Sequence, residues 1–161
     1  MNKVLVGKNA SGKTMYIRNL LKELMDAEQY SFCTNIDGYI SSIDEVDNDF
    51  VKEINLRIDD FDIKIDESGK GICLNDYSLS DTLANLIKTV VHKVDYVILD
   101  EPEVGISEHE LMILADILSY CSAEVIMTTH SDILANQYSD ELYSEINGEL
   151  VSIEYENTDC V

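Results

Sequence analysis

The chain has 161 residues, 45% of them apolar, and a formal net charge of −21. That length suits one domain with a core that needs no disulfide or metal, and the apolar content excludes a disordered chain. No run approaches the roughly 20 apolar residues a membrane helix needs, and the first residues carry neither a basic lead nor a small-residue cleavage site, so no signal peptide is expected.

The charge is unevenly spread. All eleven Lys and Arg lie at or before Lys93, and from Val94 onward there are sixteen acids and no fixed cation. Such a surface repels a phosphate backbone, which argues against direct nucleic-acid binding. The four cysteines, Cys33, Cys73, Cys121 and Cys160, form no C-x-x-C pair. Free thiols in a reducing cytoplasm are expected, rather than a zinc ribbon or a disulfide framework.

In chain order, Val4–Val6 reads as a short buried strand. Gly12–Met25 reads as a helix, with Ile17, Leu20, Leu21 and Leu24 at helical spacing. Tyr30–Thr34 is a second strand. From Ile54 the pattern turns to period two: Ile54, Leu56 and Ile58, then Phe61, Ile63 and Ile65, then Ile72–Leu74 after a glycine-rich turn. This predicts a small antiparallel meander over 54–74. A helix follows over Ser80–His92, with Leu83, Leu86, Ile87, Val90 and Val91 as its stripe. Tyr96–Leu99 and Val125–Thr128 read as buried strands. They flank a helix, Ser107–Tyr120, in which Ser107 and Glu110 match a capping box. Leu142–Ile146 and Leu150–Tyr155, joined at Asn147-Gly148, read as a terminal hairpin. Strands alternating with helices predict an α/β sandwich with a mainly parallel sheet, the meander being an antiparallel addition to a single domain of residues 1–161.

Gly7-Lys8-Asn9-Ala10-Ser11-Gly12-Lys13-Thr14 matches G-x-x-x-x-G-K-[ST] in full, between an apolar strand and an amphipathic helix. The glycines let successive backbone N–H groups turn inward as an anion nest at a helix N-terminus. Lys13 is expected to meet the β- and γ-phosphates of a nucleotide, and the Thr14 hydroxyl to coordinate Mg²⁺. This is a P-loop site, with ATP the expected nucleotide.

Val97-Ile98-Leu99 ends in Asp100-Glu101. An acid at the carboxyl end of a strand lies where open α/β sheets bind ligands. Asp100 is expected to hold Mg²⁺ through water, with Thr14, and Glu101 to orient the attacking water. His130 follows the next strand in Thr128-Thr129-His130-Ser131, at the same end of a parallel sheet, where an imidazole can bond the γ-phosphate.

Together Gly7–Thr14, Leu99-Asp100-Glu101-Pro102-Glu103-Val104-Gly105 and Thr128-Thr129-His130-Ser131 resemble the ABC-type ATPase superfamily. The nearer likeness is to its soluble RecF-like and overcoming-lysogenization-defect-like branch, over about two thirds of the chain. The resemblance implies a Walker B role for Asp100, a catalytic glutamate in Glu101, a switch histidine in His130, and a head-to-tail dimer with two ATP molecules between subunits. Three departures stand against it. The signature motif is represented only by Ser78-Leu79-Ser80-Asp81, where Asp81 replaces a glycine and Ser80 reads equally as an ordinary N-cap. The antiparallel strands and adenine-stacking aromatic that usually precede the phosphate loop are not found. No clear Q-loop is present, Asn35 being its candidate.

The expected function is therefore Mg²⁺-dependent ATP binding and hydrolysis by a small cytoplasmic ATPase that acts as a homodimer or with an unidentified protein subunit. The absence of Lys and Arg after Lys93 argues against a P-loop kinase or an AAA+ motor, both of which use late arginines. A transporter nucleotide-binding subunit and a non-hydrolysing ATP switch remain as alternatives.

Overall fold

The computed structural model of the chain describes residues 2–7, 12–36, 45–46, 48–58, 63–65, 71–73, 80–147 and 149–154. For 45–46, 55–58, 63–65 and 71–73 the description covers the backbone alone. The first part of the chain forms β1 (Lys3–Leu5), α1 (Lys13–Ala27), β2 (Phe32–Thr34), β3 (Glu45–Val46) and α2 (Asn48–Ile58). Then come β4 (Ile63–Ile65), β5 (Gly71–Cys73), α3 (Asp81–Val91), β6 (His92–Lys93) and β7 (Tyr96–Asp100). The last part forms α4 (Glu108–Leu118), β8 (Glu124–Thr128), α5 (Asp132–Gln137), β9 (Leu142–Ile146) and β10 (Glu149–Ser152).

The main sheet has the order β10-β9-β1-β8-β7-β2. Its pairings are parallel except for β10 against β9. Successive side chains on a strand face opposite sides, so each apolar strand feeds two cores. Val4, Val97, Leu99, Val125 and Met127 pack on one side with α2, α3, α4 and α5. Leu5, Ile98 and Ile126 pack on the other with Ile17, Leu21 and Leu24 of α1. Each fully buried Leu or Ile of this kind contributes about 1.5–3 kcal/mol. The α/β sandwich with a mainly parallel sheet forms as the alternation of strands and helices predicts.

The meander forms in part. β4 and β5 pair antiparallel, with Ile63 opposite Cys73. The segment Ile54–Ile58, expected as its first strand, is instead the second half of α2. Three apolar residues at period two are too few to outvote the preceding turn. Val51 and Ile54 are three apart, Ile58 follows four later, and Val51 and Ile54 are both buried in the larger core. β3 against β6 and helices α2 and α5 are elements that the sequence reading did not contain. The terminal hairpin forms, with Asn147 in the left-handed region at φ 52°. Cys33 and Cys121 are free thiols, and burial, with the Cys121 thiol nearby, pushes Cys33 up to about 12. The Cys73 side chain and Cys160 lie outside the described residues.

Glu110 joins two helices. The Ser107 hydroxyl accepts from the Glu110 N–H at 3.2 Å, and the Glu110 carboxylate accepts from the Ser107 N–H at 2.9 Å, closing the capping box. The other carboxylate oxygen accepts from the Ser80 N–H at the start of α3, at 2.8 Å. Burial raises the Glu110 pKa, but the hydrogen bonds from Ser107 and Ser80 outweigh it and bring the group down to about 2 from the ordinary 4.5. A depressed carboxylate stabilises the fold above its unfolded pKa and loses that contribution as pH falls through the folded value. Glu110→Ala is expected to cost about 1–2 kcal/mol in urea unfolding at neutral pH. The gap to wild type should close as pH drops from 4.5 towards 2. A gap independent of pH would remove the carboxylate from this role.

Candidate nucleotide site

The sheet brings three loops to one end. Gly7 follows β1, Asp100 and Glu101 follow β7, and Thr129 and His130 follow β8, with β1, β8 and β7 adjacent in the sheet. β7 and β8 are aligned residue for residue, so Asp100 stands directly opposite Thr128. A hollow of 190 Å³ beside Gly7 is lined by Val6, Thr129, His130, Ser131, Asp132 and Ala135.

Of the expected phosphate loop, Gly7, Gly12, Lys13 and Thr14 are described, while Lys8, Asn9, Ala10 and Ser11 lie outside the described residues. Gly12 caps α1 with φ 94°, a backbone state that costs a non-glycine residue about 1–2 kcal/mol. A Cβ there would also come within 2.7 Å of Glu145 Oε2 on β9. Lys13 opens α1, is only 4% exposed, and donates from Nζ to the Gly7 carbonyl at 2.8 Å. Its ammonium is thus held against the first residue of the loop it is expected to serve.

Asp100 is where the elements meet. Its Oδ1 accepts the Thr128 hydroxyl at 2.6 Å and the Thr14 hydroxyl at 3.2 Å. Its backbone is gripped by Asn35, which donates from Nδ2 to the Asp100 carbonyl at 2.9 Å and accepts the Asp100 N–H at 2.8 Å. The side chain of Asn35 extends the β2–β7 ladder past the last backbone pair. The Q-loop candidate therefore fixes the peptide of Asp100.

Glu101 has φ 42°, an uncommon state for a residue with a side chain. Its N–H is held by the Thr128 hydroxyl at 2.9 Å and the Thr128 carbonyl at 3.1 Å. The bend sends the carboxylate across to His130, where Oε1 lies 3.1 Å from Nε2. Both side chains are about one third exposed, at 35% and 37%.

Ser80 is the N-cap of α3, its hydroxyl accepting from the Leu83 N–H at 3.2 Å. Its side chain is engaged as a cap, and Ser78 and Leu79 lie outside the described residues. Thr128 is the residue the sequence reading missed. It is fully buried, and its hydroxyl serves Asp100 and Glu101 at once. The available signal was its register: it ends a five-residue strand as Asp100 does.

Among the described residues, no group of three or more His, Cys, Asp or Glu could hold a metal by itself. Thr14 Oγ1 and Asp100 Oδ1 form a hard oxygen pair instead. Such a pair suits Mg²⁺, which takes one or two protein ligands and completes its octahedron with phosphate and water.

The Thr128 linkage predicts a stability effect. Thr128→Val leaves the Glu101 strain and the Asp100 carboxylate without their shared hydroxyl, at a cost of about 1–3 kcal/mol. Thr128→Ser should restore most of it. The chain has no Trp, so far-UV circular dichroism in urea is the suitable readout, and equal midpoints for Val and Thr would refute the linkage.

Neither known protein families nor curated proteins match the sequence. Solved structures do match the fold. A cobalt transport ATP-binding protein superposes with a TM-score of 0.61 at 16% identity, over 92% of this chain and 66% of that one. A nucleotide-free ATP-binding cassette from an ABC transporter gives 0.55 at 11% identity, over 94% of this chain and 79% of that one. An archaeal ribosome recycling factor, solved with the ribosomal stalk protein, gives 0.54 at 14% identity over 91% of this chain. The chain spans 32% of that last protein and just under two thirds of the first. At these identities the likeness is one of architecture, and the chain has the fold of the ABC-type ATP-binding cassettes.

Proposed function

We propose that the chain is a Mg²⁺-dependent ATPase of the ABC type, nearest in its motifs to the soluble RecF-like and overcoming-lysogenization-defect-like branch, and that it drives or gates a partner protein. One observation carries the reading: a single carboxylate oxygen of Asp100 reaches both Thr14 of the phosphate-loop helix and Thr128 of β8. A chance glycine loop has no reason to meet the acidic end of a strand eighty-six residues away.

The geometry supports the following roles. Lys13 neutralises phosphate oxygens from a nearly buried position, where its charge is least screened by water. Thr14 and Asp100 are the residues that would hold Mg²⁺, which would supply positive charge against the phosphate oxygens of the nucleotide. Glu101 orients the water that attacks the γ-phosphorus and takes up its proton, as the bond to the β-phosphate oxygen breaks and ADP and phosphate leave. His130 contacts the γ-phosphate in this reading, and its pairing with Glu101 supports a coupling of that contact to the base.

The acidity of the site supports the metal requirement. Asp100, Glu101, Glu103 and Glu145 stand in or beside it, with Lys13 as the fixed cation in the described part. A nucleotide polyanion entering such a field needs a divalent counter-charge. A second reading, the nucleotide-binding subunit of a transporter, draws on the likeness to transporter ATP-binding proteins. It requires a membrane partner, since no described helix is long and apolar enough to cross a membrane.

Lys13→Ala should abolish measurable binding of a labelled ATP analogue. Glu101→Gln should keep binding and lower single-turnover phosphate release about 100-fold or more. Unchanged affinity in the first, or equal rates in the second, refutes the assignment. In the same Glu101→Gln protein, light scattering with Mg-ATP tests the dimer. A doubled mass supports ATP-sandwiched self-association, and a constant mass at every salt concentration favours a separate partner subunit.

A further inference from the structure

The turn after β7 carries a third acid that the reaction described above does not use. Glu101-Pro102-Glu103-Val104 closes on a hydrogen bond from the Val104 N–H to the Glu101 carbonyl at 3.1 Å. Proline in the second place of a turn has its φ already set, which fixes the direction of the residue after it. Pro102 is buried here, so the turn is anchored and Glu103 is presented towards the loop after β8.

There, Glu103 Oε1 accepts the backbone N–H of His130 in a short hydrogen bond. The other oxygen, Oε2, is buried with no partner among the described residues. One oxygen of this carboxylate is thus in use, and its donor is the His130 peptide. The neighbouring peptides are held by other means: the Thr129 N–H donates to the Leu5 carbonyl at 3.1 Å, and the Ser131 N–H to the Thr129 hydroxyl at 2.9 Å. His130 is therefore fastened twice to one four-residue turn, through its ring by Glu101 and through its backbone by Glu103.

We propose that Glu103 is a positioning residue for hydrolysis: by holding the His130 peptide it fixes the imidazole at the place from which it engages Glu101. The inference rests on the ATPase reading. A carboxylate with one oxygen buried and without a partner among the described residues is expensive for a residue whose task is only to close a turn, since a buried acceptor left unpaired keeps its full desolvation penalty. What Glu103 supplies is reach: the side chain spans from the β7 loop to the β8 loop and makes the geometry of His130 depend on that of Glu101. A shift of about 1 Å at such a pair can lower a rate about 100-fold. Because a single acceptor oxygen does the holding, the amide of glutamine can replace it.

The test compares wild type, Glu103→Ala, Glu103→Gln, His130→Ala and the Glu103→Ala/His130→Ala double variant of the full chain. ATP affinity and single-turnover phosphate release are measured for each. Glu103→Ala is expected to slow release about 10- to 100-fold with ATP affinity within about twofold. Glu103→Gln should stay within about threefold of wild type, and the double variant should match His130→Ala alone. Equal release by wild type and Glu103→Ala overturns the proposal, as does a double variant slower than His130→Ala by the full Glu103→Ala factor. Parallel loss of affinity and rate in Glu103→Ala without rescue by glutamine assigns Glu103 to the fold instead. The amide proton of His130 gives a readout that needs no turnover: it should resonate downfield in wild type and Glu103→Gln relative to Glu103→Ala. If wild type releases phosphate no faster than Glu101→Gln, the ATPase reading itself falls and the role of Glu103 falls with it. In that case the amide shift still reports whether the hydrogen bond exists.

Discussion

One oxygen atom, Oδ1 of Asp100, accepts the hydroxyls of Thr128 at 2.6 Å and Thr14 at 3.2 Å, and the rest of the site is arranged around it. The first contact locks β7 to β8 at the ends where their backbone ladder stops. The second ties the first turn of α1 to the same point. Asn35 holds the Asp100 peptide from the far side, out of β2. Three segments distant in sequence therefore converge on one aspartate, and each contact fixes a direction that apolar packing alone leaves free.

The same junction turns the chain sharply. Just past Asp100, Glu101 adopts a left-handed backbone that a glutamate would not choose by itself. Thr128 holds it there through two acceptors on one residue. Strain of this kind persists where the surroundings over-determine it, and it marks sites where the aim of a side chain matters. Here the aim is at His130. The two cores beneath supply the rigidity: Val97, Leu99, Val125 and Met127 bury on one side of the sheet and Ile98 and Ile126 on the other.

Much of this was legible in the sequence because its signals are local. The apolar runs ending in Asp100-Glu101 and in Thr128-Thr129-His130 predicted both strands and the shared end of the sheet, and the loop from Gly7 to Thr14 predicted the start of α1. The capping box of Ser107 and Glu110 formed as written. What stayed hidden depends on contacts between distant segments. Thr128 reads as one more β-branched strand residue until its register against Asp100 is known. Asn35 could be named as a polar residue after a strand, but its grip on the Asp100 peptide requires β2 and β7 to be neighbours. Ile54–Ile58 misled because a short alternation fits a strand, whereas the burial of Val51 and Ile54 together is a tertiary fact. Ser80 showed both readings in sequence, and its hydroxyl is engaged as a cap.

In the proposed function Asp100 and Thr14 together form the metal side of an ATP site. ATP titration of wild type and Asp100→Asn, each with Mg²⁺ and with the metal chelated, tests that pairing. Asparagine keeps an acceptor for both hydroxyls and removes the charge. Mg²⁺ is expected to tighten ATP binding to wild type about tenfold or more, worth about 1.4 kcal/mol, and this gain should largely disappear in Asp100→Asn. Equal affinity of wild type with and without Mg²⁺, or an equal gain in both proteins, would contradict it.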